Sequence, residues 1–180
     1  MKKLLMILPL ALILCFMVGC QEKEAMAELE AFKAQAEVEE QNKEIVRKGF
    51  KLFDEGNIEG LMELFAPNSL WYNPSNSPAP MSNEELRELL VMLFNAFSEW
   101  NSKIEDIIAV GDKVITRVVT TTTHTGEYRG IPATGKKVEY SSIMIFSLED
   151  GKVVEVREDV DNLGRMQQLG MELKPKESEK

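Results

Sequence analysis

Residues 113–160 read KVITRVVTTTTHTGEYRGIPATGKKVEYSSIMIFSLEDGKVVEVREDV, and this stretch decides the fold. Apolar and β-branched residues alternate with polar ones at a period of about two, which is typical of half-buried strands. Short turns such as Gly111-Asp112 favour antiparallel connections between such strands. We predict four long strands: Ile104–Val110, Lys113–Thr125, Lys137–Leu148 and Lys152–Val160.

Upstream of the strands the apolar period changes to about 3.6, and three helices are predicted. The first begins near Glu44, the second is capped by Asn57 and closed by Pro67, and the third follows a capping box at Ser82. A short strand over residues 70–72 lies between the second and third helices. Helices followed by a run of antiparallel strands predict an α+β fold, in which the sheet curls over the helices.

The N-terminus has the pattern of a signal peptide. Lys2 and Lys3 precede an uncharged apolar run that is too short for a typical membrane span of ~20 residues. The run ends in Met17-Val18-Gly19-Cys20, which resembles the lipobox of bacterial lipoproteins. This resemblance implies cleavage after residue 19 and a lipid on Cys20, so that the protein is anchored in the cell envelope and faces away from the cytoplasm. The alternative is an ordinary signal peptide whose cleavage leaves a free cysteine.

Both ends outside the predicted domain are rich in charged residues. Residues 20–42 contain mainly Glu, Ala, Gln and Lys, and are predicted to form a semi-rigid helical stalk. Residues 171–180 are predicted to form a disordered tail. The domain itself is assigned to residues 43–170.

Charge and composition exclude several partners and cofactors. The net charge is -9, and removal of residues 1–19 takes away two lysines and no acid, which gives -11. An acidic domain repels phosphate backbones, so nucleic acid is not expected as a partner, and the membrane contact is assigned to the lipid on Cys20 alone. With a single histidine and no cysteine left in the domain, no disulfide and no metal site are predicted.

Three motifs in the C-terminal half resemble one family. HTGEYRGIPATGK (residues 124–136), EDGKVVE (149–155) and DNLGRMQQLG (161–170) are similar to patterns of the SnoaL-like polyketide cyclases. These enzymes belong to the nuclear transport factor 2-like superfamily. The resemblance implies a cone, in which three N-terminal helices pack in a strongly curved antiparallel sheet and leave a pocket for a small apolar molecule.

The resemblance also implies chemistry without a cofactor. A SnoaL-like cyclase closes a ring by an aldol step, which needs a base for a C–H group and a donor for the carbonyl oxygen. His124 lies where the family keeps a catalytic histidine, and Asp161 and Glu139 are its candidate carboxylate partners. Asp161 also fits a structural role as the cap of a terminal helical turn that Gly170 stops.

Strand alternation alone does not decide which sheet face lines the pocket. Six further residues are predicted to line it, with ordinary core or surface packing as the alternative for each: Trp71, Tyr72, Thr122, Tyr140, Arg157 and Asp159. Three functions remain open at this point. The domain is a cyclase, isomerase or dehydratase, or a non-catalytic binding module, or an envelope protein that forms a homodimer through the outer face of its sheet.

Overall fold

The computed structural model describes residues 4–172 and residue 174, with side chains from residue 23 onward. The side chain of Cys20 and the tail beyond residue 174 lie outside the described residues, so the predictions made for them stay predictions. The chain divides into two units, residues 1–38 and residues 39–180. Each unit is described separately below.

The first unit is helical. Residues 4–38 belong to helix α1, which is assigned over Leu4–Asp54. Side chains 23–38 are all exposed, including the apolar Met26, Leu29 and Phe32. Among the residues whose side chains are described, no helix is both long and apolar enough to cross a bilayer.

The second unit contains the end of α1, three further helices and five strands. In chain order after α1 these are α2 Ile58–Met62, β1 Phe65–Tyr72, α3 Asn83–Ala96, β2 Phe97–Val110, β3 Lys113–His124, β4 Lys137–Glu149, β5 Lys152–Val160 and α4 Asn162–Leu169. The predicted α+β cone, with helices packed against a curved sheet, is confirmed. The capping box at Ser82 is also present, since its hydroxyl accepts from the Glu85 amide and Glu85 accepts from the Ser82 amide.

The five strands form one sheet in the order β1-β5-β4-β3-β2. The pairs β2-β3, β3-β4 and β4-β5 are antiparallel, and two-residue turns join the first and the last of these pairs. The edge strand β1 pairs with β5 in parallel, with Leu70 opposite Glu155 and Tyr72 opposite Arg157. This pair joins the early helical part of the chain to its last strand.

The starts of β1 and β2 differ from the pattern-based prediction. Strand β1 begins at Phe65, and Pro67 lies inside it instead of closing α2. The β1-β5 register shifts between Phe65 and Leu70, and an edge strand with such an irregularity tolerates a residue that lacks an N–H. Strand β2 begins at Phe97 and not at Ile104 as predicted, because α3 ends at Ala96 and the chain becomes extended directly after it.

The hydrophobic core consists of two clusters. The larger one packs α1 and α3 against the inner face of the sheet, with Val46, Leu90 and Val156 among its buried members. The smaller one gathers Phe97 and Leu169 with other apolar residues where α4 meets β4. The larger cluster leaves a space between the helices and the sheet, which is the cavity described next.

Candidate functional site

A cavity of about 270 Å³ lies between the helices and the inner face of the sheet. Its volume is at the lower end of the range for small-molecule sites, about 300–1,000 Å³. Most of its wall is apolar, with Phe50 and Phe53 from α1 and Leu90 and Leu93 from α3. Such a wall suits a small, mainly apolar molecule.

Glu158 is a buried carboxylic acid in this apolar wall. It is on β5, only 8% of its surface is exposed, and Val156 and Val160 flank it at the strand period. Its Oε2 accepts from Trp71 Nε1 at 3.1 Å and from Asn73 Nδ2 at 2.8 Å. Both donors belong to β1 or the residue after it, so the parallel β1-β5 pair assembles this group.

Burial sets the protonation of Glu158. Burial raises the pKa of Glu158 to about 7, because it disfavours the charged form more than the Trp71 and Asn73 hydrogen bonds favour it. Both donors reach Oε2, and Oε1 has no hydrogen bond from the described residues. At neutral pH the group is therefore able either to accept or to give a proton through Oε1.

Tyr140 and Arg165 provide hydrogen-bond donors in the same wall. Tyr140, on β4, stays protonated because burial raises its pKa to about 12, although the Arg165 charge opposes this shift. Arg165, on α4, lies with its guanidinium carbon 4.9 Å from the centre of the Tyr140 ring. A phenol and a guanidinium near one carboxyl group can stabilise negative charge that develops on a substrate oxygen.

His124 lies on the inner face of β3 but outside the cavity wall. It is completely buried, and its ring packs 5.0 Å from the ring of Phe97. Its Nδ1 lies 3.0 Å from Thr134 Oγ1 and 3.3 Å from the Thr134 amide nitrogen. Burial lowers the pKa of His124, so the ring is neutral at pH 7. These contacts describe a residue that fixes the loop after β3.

The close contact of this loop with the end of α3 explains why the first motif has a glycine at position 126. The amides of Thr125 and Gly126 both donate to the carbonyl of Ala96, at 3.0 and 2.9 Å. A Cβ atom at position 126 would lie 2.1 Å from the carbonyl oxygen of Asn95. Only glycine fits so close to the end of α3.

Asp161 and Glu139 also lie away from the cavity wall. The exposed Asp161 caps α4, with its Oδ1 accepting from the Gly164 amide at 2.7 Å. Glu139 has an exposed side chain, and Gln168 holds its backbone with hydrogen bonds of 2.9 and 2.7 Å. The structure does not bring His124, Asp161 and Glu139 together around the cavity, and their catalytic roles stay predictions.

Of the six residues predicted to line the pocket, Trp71 and Tyr140 do so. Thr122 is buried beside β2, where its hydroxyl donates to the carbonyl of Ser98 at 2.7 Å. The other three hold the loop after β1. Tyr72 packs against the Arg157 guanidinium, Arg157 donates to the carbonyl of Ser75 at 3.0 Å, and Asp159 accepts from Ser75 at 3.1 and 2.5 Å.

Sequence reasoning missed Glu158 and Arg165. On β5 it considered the face that contains Glu155, Arg157 and Asp159, which is the outer face. The signal for Glu158 was present, because a single carboxylate between Val156 and Val160 interrupts an otherwise apolar face. No comparable signal existed for Arg165, because an arginine on a short terminal helix usually faces solvent.

Fold and site together define a cone-shaped α+β domain with an apolar cavity and an ionisable group buried in its wall. Comparison with protein families shows which family this domain belongs to. The model of the SnoaL-like polyketide cyclase family matches residues 43–169. The chain belongs to this family. A search of curated proteins found no match.

Solved structures with the same fold come from several bacteria. IdmH, a proposed polyketide cyclase from Streptomyces antibioticus, is 27% identical with a TM-score of 0.64, over 73% of this chain and 99% of that one. A proposed SnoaL-like polyketide cyclase from Jannaschia sp. CCS1 is 27% identical with a TM-score of 0.61, over 75% and 95%. AclR, a proposed hydroxylase from Streptomyces galilaeus, is 23% identical with a TM-score of 0.69, over 73% and 97%.

Proposed function

We propose that this domain binds a small apolar molecule in its cone and transfers a proton to or from it through Glu158. The observation that carries the proposal is a buried carboxyl group in a mainly apolar cavity, with one oxygen that accepts no hydrogen bond from the described residues. A pKa of about 7 matches such a group to proton transfer near neutral pH. Removal of a proton next to a carbonyl, followed by ring closure or isomerisation, is the chemistry that this arrangement supports.

The proposed roles divide among four side chains. Glu158 accepts the carbon-bound proton at Oε1, while Trp71 and Asn73 hold Oε2 and fix the orientation of the carboxylate. Tyr140, which stays protonated, is placed to donate to the oxygen that gains charge. Membership of the SnoaL-like family supports this assignment of reaction type, and so does the description of IdmH as a polyketide cyclase.

A general probe tests the base without knowledge of the natural substrate. In 5-nitrobenzisoxazole a base removes the proton on carbon while the N–O bond breaks, which yields a nitrile and a coloured phenolate. We expect the full-length protein to accelerate this reaction, with a rate that increases as the pH rises through about 7. Glu158→Gln should lose at least about 90% of the rate.

Glu139→Gln is the matched control for this assay, since Glu139 is exposed on the neighbouring strand and lies outside the cavity wall. It should keep the wild-type rate. An unchanged rate in Glu158→Gln would exclude Glu158 as the base. A protein that neither accelerates the reaction nor contains a co-purified apolar molecule in native mass spectrometry would contradict the proposed function as a whole.

The cellular location of the domain is also proposed. The signal-like N-terminus and the lipobox-like residues 17–20 support a lipid anchor on Cys20 at the outer side of a cell membrane.

The outer face of the sheet supports a homodimer. Four exposed isoleucines lie there, three of them in one row across neighbouring strands: Ile108, Ile115 and Ile145 in the row, with Ile143 beside it.

A further inference from the structure

The charged side chains of the cavity wall have a net positive charge. Only three members of the wall carry a formal charge, namely Arg129, Glu158 and Arg165. Even with Glu158 ionised, the wall has one more cation than anion, although the whole chain has a net charge of -9. The cavity is therefore a positive region in an acidic protein.

Arg165 is a buried cation that lacks an anionic partner. It is 7% exposed, and its Nη2 donates to Tyr128 Oη at 2.8 Å and to Asn162 Oδ1 at 2.6 Å. Both acceptors are uncharged, and Nε is buried without a hydrogen-bond partner. No carboxylate of the described residues lies within 4.0 Å of its guanidinium nitrogens.

Glu158, the carboxyl group of the wall, offsets this charge only at a distance, since the Arg165 charge lowers the pKa of Glu158 without an ion pair between the two groups. A buried guanidinium without an ion-pair partner is strongly unfavourable. Glu158 forms its hydrogen bonds with Trp71 and Asn73, not with Arg165. Arg129 adds a second cation, since the two guanidinium carbons lie 5.3 and 5.2 Å from the centre of the Tyr128 ring.

We propose that the ligand of the cavity carries a carboxylate on an apolar body, and that Arg165 binds this carboxylate. The planar guanidinium matches the two oxygens of a carboxylate, and the exposed Arg129 adds a second positive charge beside Tyr128. The carboxylate thus replaces the missing anionic partner, while the body of the ligand fills the apolar part of the wall. This inference rests on the proposed binding function, and it narrows the ligand class from apolar molecules to apolar acids.

The experiment compares two probes that differ in charge and hardly in shape. 2-Naphthoate and 2-naphthamide share the same apolar body, and only the first is anionic at pH 6. Calorimetric titration of the full-length protein should show that the naphthoate binds at least about tenfold more tightly. Equal affinities would overturn the inference and leave the proposed function intact. If neither probe binds and native mass spectrometry finds the cavity empty, both proposals fail.

Variants of Arg165 test whether this residue causes the preference for naphthoate over naphthamide. Arg165→Met should bind naphthamide with an affinity within about threefold of wild type, but should lose the preference for naphthoate. Arg165→Lys keeps a cation and should keep part of the preference, so it serves where Arg165→Met does not fold. Arg117→Met is the charge-matched control, because Arg117 is exposed and pairs with Asp106 on the outer face. A preference that survives in Arg165→Met, or disappears in Arg117→Met, would contradict the role of Arg165.

Discussion

Glu158 and Glu139 have the same functional group and lie on neighbouring strands, yet their surroundings differ. Glu139 is exposed to solvent, whereas Glu158 is enclosed by apolar residues and two nitrogen donors. The proton affinity of a carboxyl group depends on such surroundings more than on the position of the residue in a motif. The candidate site therefore follows from burial, which the sequence pattern reveals only in part.

The raised pKa of Glu158 makes stability depend on pH. Between the unfolded value of 4.5 and the folded value of about 7, the folded protein holds a proton that the unfolded chain releases. Glu158 therefore does not destabilise the fold below pH 4.5, and it destabilises the fold progressively as the pH rises from 4.5 to about 7, with the full effect above pH 7. The full effect is on the order of 3 kcal/mol.

Glu158→Gln should remove this dependence, because a glutamine still accepts from Trp71 and Asn73 but never ionises. We expect its free energy of unfolding, relative to wild type, to increase between pH 4.5 and pH 8 by on the order of 3 kcal/mol. Urea denaturation at both pH values measures this difference. A difference that is independent of pH would show that Glu158 is ionised in the folded protein throughout this range.

At the scale of single elements, the terminal helix α4 explains most of the third motif. Asp161 caps its start, and Gly164 leaves room for this cap, since a Cβ there would lie 2.2 Å from Asp161 Oδ2. Gly170 ends the helix with a left-handed φ of 104°. The helix directs Arg165 into the cavity wall and Leu169 into the smaller core cluster.

Substitution of the cap separates a structural role of Asp161 from a catalytic one. Asp161→Ala should lower the free energy of unfolding by about 1 kcal/mol, because the Gly164 amide loses its acceptor. Asp161→Asn should keep the stability, since asparagine is an equally good cap, and it should also keep the rate with 5-nitrobenzisoxazole. An inactive but stable Asp161→Asn protein would restore Asp161 as a catalytic candidate.

Elements were predictable from the sequence to different degrees. The capping box at Ser82, the strand period and the terminal motif each have a local cause, so the pattern of residues alone placed the corresponding elements. The parallel pairing of β1 with β5 has no local signal, because it depends on which strand edges remain free after the hairpins form. Trp71 and Asn73 reach Glu158 through this pairing, so the site was the least predictable part.

At the scale of the whole molecule, the outer face of the sheet is suited to a second copy. Ile108, Ile115 and Ile145 are 56%, 38% and 37% exposed and lie side by side on β2, β3 and β4. Adjacent exposed apolar residues of this kind mark an interaction surface. Contact through a symmetric patch gives a closed dimer and not a filament.

We therefore expect the protein to sediment as a dimer, and Ile143→Lys to sediment as a monomer, because the lysine places a charge in the contact. Ile143 is 52% exposed in the single chain, so this change should leave the thermal unfolding temperature of the monomer nearly unchanged. Val91→Lys is the control, since Val91 is 46% exposed on α3. A wild-type protein that remains monomeric at high concentration would exclude the dimer.

The proposed anchor also concerns the molecule as a whole. Cys20→Ser should prevent attachment of the lipid and move the protein from the membrane fraction to the soluble fraction. Mass spectrometry of the intact wild-type protein should show the added mass of acyl chains and a new N-terminus at residue 20. Cys15→Ser, within the predicted signal segment, is the control that should keep the membrane location. A wild-type protein without added mass would contradict the anchor.

The parallel β1-β5 pair has a consequence for the order in which the chain folds. Residues 65–72 can pair only when residues 153–157 are available. The sheet is therefore completed only after almost the entire chain has been synthesised. Glu158 meets Trp71 and Asn73 through the same late pairing. During synthesis β1 therefore remains unpaired until the last strand emerges, and the donors that orient the Glu158 carboxyl are the last part of the site to be assembled.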